Sequence, residues 1–146
     1  MRLREIVKKV PRTVRSNAKV AAARSEMELA GSHHLPVVDG GSVVGVVSDR
    51  DLRNVAADVT VGELMETKVV TATPDTTVRE AANLLRGNII GCLPVLDQGR
   101  LVGIVTTSDL LTLIGKGAER PVAESKRWTL PKRGQRRKAF VPNGRV

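Results

Sequence analysis

Hydrophobic and polar positions along this chain form a pattern that is written twice. Val69-Val70-Thr71 is a short β-rich run, and the stretch from Val10 to Val14 is its weaker counterpart. Pro74-Asp75-Thr76-Thr77 resembles a helix start; Val78, Ala81, Ala82 and Leu85 then recur at helical spacing, with Gly87 as a stop. Val20, Ala23, Met27 and Ala30 repeat that spacing earlier, ending near Gly31. After each helix the pattern predicts two strands around a tight turn. These are residues 35–38 and 43–47 around Asp39-Gly40-Gly41, and residues 93–96 and 101–105 around Asp97-Gln98-Gly99. Runs such as Val43-Val44-Gly45-Val46-Val47 are continuous rather than alternating, which predicts strands covered on both faces. A second helix is expected to open at Ser48 and at Thr106, and short helical lead-ins at residues 3–7 and 61–65. The predicted order is β-α-β-β-α, twice.

The duplication can be read directly. At an offset of 58, LPVVDGGSVVGVVSDRDL (35–52) aligns without a gap to LPVLDQGRLVGIVTTSDL (93–110), with ten of 18 positions identical. The register extends back through Val20/Val78, Thr13/Thr71 and Glu5/Glu63. Units of this size cannot readily fold alone, so the two are expected to pack on a shared face. The expected division is residues 1–57, residues 58–117, and a tail at 118–146.

Charge separates the tail from the body. Residues 1–115 hold 14 Lys/Arg against 13 Asp/Glu, a net of +1, whereas residues 116–146 hold ten against two, a net of +8. The tail contains Pro121, Pro131 and Pro142 and few aliphatics, and so reads as a poorly packed extension unless it docks on the body or on a partner. The only two aromatics, Trp128 and Phe140, lie there too, which leaves the body an aliphatic core. One cysteine, Cys92, permits no intrachain disulfide, and with two histidines it makes no convincing zinc site. No apolar run approaches a membrane span, and the first 20 residues are too basic and polar for a signal peptide. A soluble, cytoplasmic protein is the expectation.

The twice-repeated LPVVD-x-G-x-hhG-hh-[ST]-x-x-D, with h an aliphatic residue and a helix before each copy, resembles a tandem pair of CBS domains, together called a Bateman module. The resemblance covers residues 1 to about 115. It implies an α/β fold of two pseudo-symmetric β-α-β-β-α units packed sheet to sheet, and two equivalent clefts that in many members hold an adenosine-containing ligand. It also implies a flat homodimer.

Ser48 and Asp51, with Thr106 and Asp109 in the second unit, are the leading candidate ligand residues. A helix opening at Ser48 would present free N–H groups and the positive end of its dipole to a phosphate. A carboxylate three residues on is acceptor-only and suits the two hydroxyls of a ribose. The resemblance assigns those roles to these positions; the residues alone read first as a capping box, Ser or Thr at the N-cap with an acid three residues later, a role compatible with ligand binding. By family position the base lies between the first strand and the loop before each LPV. That brings in Arg15 and Thr73, and His34 and Cys92. Arg15 could meet a phosphate and His34 a base, though a loop histidine can equally be a tolerated polar residue. Cys92 reads equally as a small buried hydrophobe. Because the units differ there, unequal affinities are expected. Pro36, Pro94, Asp39 and Asp97 read as strand and turn chemistry.

No nucleophile elbow, phosphate-binding GxxxxGK[ST] or HExxH is present, so the expectation is a module without catalysis. The leading reading is a regulatory adenine-nucleotide sensor. AMP, ADP, ATP, S-adenosylmethionine and NAD are all compatible ligands, and either the module would act on a separate protein in trans or the tail would be its output element. The alternative reading places function in the tail, where eight basic residues from Lys126 to Arg145 surround Trp128 and Phe140, a mixture suited to nucleic acid or an acidic partner. The paired units would then serve as a dimerisation scaffold.

Overall fold

The computed structural model describes residues 1–7 and 11–118. Val10, Trp128 and Phe140, and all of the expected tail beyond Ala118, lie outside the described residues. The elements run as a 3-10 turn (Leu3–Glu5), α1 (Val20–Ala30), β1 (His34–Asp39), β2 (Ser42–Ser48), a second 3-10 turn (Val61–Glu63), α2 (Val78–Asn88), β3 (Cys92–Asp97), β4 (Arg100–Thr106) and α3 (Thr107–Ala118). Both repeats belong to one compact unit, Met1–Leu113.

Each repeat is built on an antiparallel hairpin, β1 with β2 and β3 with β4. The two-residue turns place Gly40 and Gly41, and Gln98 and Gly99, at positive φ, the geometry that lets strand twist continue through a hairpin. Coverage on both faces falls on the first strand of each hairpin, where Leu35, Pro36 and Val37, and Leu93, Pro94 and Val95, are buried. In β2 and β4 the fully buried positions alternate, Gly45 with Val47 and Gly103 with Val105. The two hairpins meet through β2 and β4.

Two expected elements take a reduced form. The predicted first strands are single parallel bridges, Val14 beside Val37 and Ala72 beside Val95. Residues 49–54 form consecutive turns where a helix was expected. Leu52 N–H donates to Asp49 O and Arg53 N–H to Arg50 O, each at 3.2 Å, and Asn54 then turns left-handed at a φ of +60°. Arg24 Nη2 donates to the carbonyls of Leu52 (2.7 Å) and Val55 (2.9 Å), so a side chain from α1 satisfies the carbonyls that another helical turn would have used. In the second repeat nothing comparable intervenes and α3 runs for 12 residues.

The repeats exchange their lead-ins. Leu3, Ile6 and Val7 pack in the core of the second repeat with Ala81, Leu85, Leu93, Val95 and Val105. Val61, Leu64 and Met65 pack in the first, with Val20, Ala23, Met27, Leu35, Val37 and Val47. Hydrogen bonds follow the same exchange. Leu3 N–H donates to Thr76 O (2.9 Å) and Val78 N–H to Met1 O (2.9 Å), while Val61 N–H donates to Ala18 O and Val20 N–H to Val59 O, both at 2.8 Å. The 58-residue offset converts each bond into its mate, which is what a pseudo-twofold axis between the repeats requires. Neither repeat therefore closes its core without the other.

Candidate functional site

β2 ends at Ser48, whose register partner is His34, the first residue of β1. A reciprocal cap follows: Ser48 N–H donates to Asp51 Oδ2 (2.9 Å) and Asp51 N–H to Ser48 Oγ (3.3 Å). Asp49 N–H donates to His33 O (2.9 Å), and Asp49 Oδ2 lies 2.9 Å from His33 Nδ1. The amides of Asp49 and Asp51 are thus already engaged, and no helix follows them. A dipole-based phosphate seat at Ser48, expected from the sequence, is absent from this turn. Thr106 and Asp109 make the same cap at 2.9 and 3.1 Å, and there it precedes the first turn of α3.

Opposite Ser48 stands the second repeat. Val46 and Glu66 exchange backbone hydrogen bonds of 3.1 and 2.9 Å, which tie the segment after the exchanged lead-in to β2. Lys68, Val69 and Val70 continue from it, and Ile89, Ile90, Gly91 and Cys92 arrive from the end of α2. Together with His34, Ser48, Asp49, Arg50 and Asp51 these residues line a cavity of about 460 Å³. Its walls divide by chemistry. Val46, Val69, Val70, Ile89, Ile90 and Cys92 are apolar; Ser48, Asp49, Arg50, Asp51, Glu66 and Lys68 are polar or charged.

The cavity joins two residues that the repeat pattern assigns to separate clefts. His34 and Cys92 occupy equivalent positions, yet both line this one cavity. A Cβ on Gly91 would lie 2.9 Å from His34 Nε2, so the imidazole occupies space that only glycine leaves open. Burial lowers the His34 pKa, with Asp49 and Asp51 opposing and His33 reinforcing, so the ring is neutral at pH 7 and can donate or accept. Burial, aided by the charge of Asp109, pushes the Cys92 thiol up to about 12, and it remains a protonated, unreactive lining group.

Of the sequence candidates, Ser48, Asp51, His34 and Cys92 converge here. Arg15, Thr73, Thr106 and Asp109 do not line this cavity. Thr73 is instead engaged in its own turn, its N–H donating to Thr76 Oγ1 at 3.0 Å. Lys68, Val69 and Val70 were missed as lining residues. The signal that marks them is the exchange of lead-ins, which carries the chain past β2 before it reaches α2. Ile89 was also missed, although it stands at the repeat position of Gly31. Among the described residues no group of three or more His, Cys, Asp or Glu side chains could hold a metal, and no helix is long and apolar enough to cross a membrane.

Comparison with known proteins agrees with this geometry. A family model described as CBS domain matches residues 3–58 and 61–116. A CBS domain-containing protein of Dictyostelium discoideum is 35% identical over 136 residues, covering 80% of this chain and 93% of that protein. The inosine-5'-monophosphate dehydrogenase of Thermoplasma acidophilum is 34% identical over 119 residues, 74% of this chain but only 24% of that enzyme. Among solved structures, the CBS domain pair of protein MJ0100 in complex with 5'-methylthioadenosine and S-adenosyl-L-methionine has a TM-score of 0.73 at 31% identity, covering 80% of this chain and 98% of that one.

Proposed function

Because this chain belongs to the CBS-domain family and carries two such domains in tandem, we propose that it is a non-catalytic regulatory module whose ligand is an adenosine-containing molecule held in the cavity between the repeats. One observation carries the reading: the capped Ser48 and Asp51 of the first repeat share a cavity of about 460 Å³ with Val69, Val70, Ile89 and Ile90 of the second. That volume falls within the roughly 300–1,000 Å³ of small-molecule sites, and a lining that mixes apolar with polar and charged side chains suits a base joined to a sugar. Asp51 Oδ2 is committed to the Ser48 amide, whereas Oδ1 makes no hydrogen bond among the described residues and is available to ribose hydroxyls.

Charge narrows the class further. With the amides of Ser48, Asp49 and Asp51 engaged, the charged side chains among the described lining residues are Arg50 and Lys68 against the carboxylates of Asp49, Asp51 and Glu66. A triphosphate fits that balance poorly. AMP, 5'-methylthioadenosine or S-adenosylmethionine fits it better, and the MJ0100 pair is a relative whose structure holds the latter two. Signalling follows from the exchanged lead-ins. A ligand touching both repeats favours one relative packing by its differential affinity for it, and a homodimer or a separate cytoplasmic protein reads that packing in trans.

The test is a thermal-shift panel of AMP, ADP, ATP, S-adenosylmethionine, 5'-methylthioadenosine and NAD on the wild type and on Asp51→Ala. A ligand at a hundred times its dissociation constant adds about 2.7 kcal/mol, a rise of several degrees. A rise with the first-named class that Asp51→Ala removes supports the reading; no rise with any of them on folded protein overturns it.

A further inference from the structure

Ile89 combines two unfavourable features that nothing among the described residues offsets. It is the C-cap of α2 and sits in the left-handed region, φ +53° and ψ +49°. A β-branched residue is a true outlier there, because Cβ crowds the carbonyl that follows, at a cost of about 1–2 kcal/mol. The residue is also 94% exposed, so burial returns almost nothing.

The other repeat shows that the backbone does not require this residue. Gly31 stands at the equivalent position and caps α1 at φ +62° and ψ +33°. The hydrogen bonds match: Gly31 N–H to Glu28 O (3.2 Å) and Ser32 N–H to Met27 O (3.1 Å), against Ile89 N–H to Arg86 O (3.2 Å) and Ile90 N–H to Leu85 O (3.0 Å). The same cap is made with the residue that suits it in one repeat, and with one of the least suited in the other. What differs is location, for Ile89 lines the cavity together with the apolar Ile90, Val69 and Val70 and the capped Ser48 and Asp51.

We infer that Ile89 is a specificity residue, held in a strained conformation so that its exposed side chain covers one face of the ligand's aromatic base. This rests on the cavity being the ligand site. Apolar area that is exposed in the free protein becomes buried only when a flat, weakly polar ring is present. The contact selects for a purine-bearing ligand over a sugar phosphate of equal charge.

The experiment pairs stability with affinity. Ile89→Gly and Ile89→Asn both relieve the left-handed strain, and the second keeps a polar side chain of some size. Urea denaturation should show each variant more stable than wild type. Calorimetric titration with S-adenosylmethionine and with AMP should show each binding about tenfold more weakly, the loss expected for part of one aliphatic side chain. Opposite signs for stability and affinity are the signature, since a purely structural residue moves both the same way. Asp51→Ala is titrated in parallel with the same two probes. If wild type binds and Asp51→Ala does not, yet both Ile89 variants keep wild-type affinity, this inference fails while the site reading stands. If wild type binds neither probe, or Asp51→Ala binds as well as wild type, the site reading fails and takes this inference with it.

Discussion

The exchange of lead-ins makes a sharp demand on one atom. A Cβ built on Gly103 would lie 1.9 Å from Val7 Cγ1, 3.2 Å from Val7 Cβ and 3.4 Å from Cγ2. Val7 is β-branched and stiff at χ1, and both methyls face the glycine, so rotating one away brings the other in. Gly103→Ala therefore forces the lead-in of the first repeat off the second repeat's hairpin. Overpacking of this kind costs about 1–3 kcal/mol, a fall in Tm of about 4 °C for each kcal/mol in a body of this size. Removing the obstruction should reverse the effect. Val7→Ala alone sacrifices two half-buried methyls, about 1 kcal/mol, but in its presence Gly103→Ala should cost almost nothing more. The double-mutant cycle, measured by urea denaturation, should thus show a favourable coupling of about 1–3 kcal/mol. Two results would refute the reasoning: a Gly103→Ala variant as stable as wild type, or single effects that add to within about 0.5 kcal/mol. Either would mean that the first lead-in does not pack on the second hairpin.

Further outcomes follow from the site. Asp51→Asn keeps the shape of the cap but loses its charge; it should weaken AMP or S-adenosylmethionine binding by tenfold or more in a titration, whereas Asp109→Asn should leave the Asp51-dependent binding intact. His34 is held below its ordinary pKa of about 6.5, so the unfolded chain takes up a proton first as pH falls. The stability it contributes is complete above about pH 6.5 and declines below it. Chemical denaturation between pH 5 and 8 should show this decline, and His34→Gln should flatten it; an unchanged slope would remove the imidazole from the account. Cys92, with its thiol pushed up to about 12, should resist iodoacetamide at pH 7.5 in native protein and react promptly in urea, with mass spectrometry as the readout.

Much of this was legible because the chain states its plan twice. The LPV strands, the Asp39-Gly40-Gly41 and Asp97-Gln98-Gly99 turns and the helix start at Thr77 are local codes, and each produced its element. The helix start read at Pro74–Thr77 is closed by a cap between Thr77 and Glu80, with Glu80 N–H donating to Thr77 Oγ1 at 3.0 Å. Ser48 and Asp51 were legible for the same reason. What stayed hidden depends on contacts between segments far apart in sequence. Nothing local to residues 49–54 announces that Arg24 will take the carbonyls of Leu52 and Val55 and stop a helix. Nothing local to Lys68 or Val70 reveals that the lead-in crosses to the other repeat, so the cavity wall was sought at Thr73, five residues beyond Lys68. Ile89 could have been found by sliding the repeats once more, because an isoleucine aligned with a helix-ending glycine is conspicuous.

Duplication fixes the backbone twice but leaves the side chains free to diverge, and the divergences cluster around one cavity. His34 fills the space that Gly91 leaves, and the equivalent pair by repeat position is His33 and Cys92, so bulk has moved from one partner to the other. Asp49 and Arg50 stand where the second repeat has Thr107 and Ser108. The two caps engage equivalent amides, Asp49 N–H on His33 O (2.9 Å) and Thr107 N–H on Gly91 O (3.2 Å), but consecutive turns follow Ser48 whereas a helix of 12 residues follows Thr106. Each change alters what a ligand would meet without disturbing the exchanged hydrogen bonds, which agree in the two directions to within 0.2 Å (Arg4 N–H to Pro74 O at 3.0 Å, Gly62 N–H to Ser16 O at 2.8 Å). The shared bonds explain why neither repeat can drift alone, and the unshared side chains explain why a ligand would meet different chemistry at the two positions. Under the proposed function, an asymmetric ligand on this symmetric frame would convert occupancy into a change of packing: the contact would strengthen one side of the pseudo-twofold axis, and the exchanged lead-ins would carry that bias to the other.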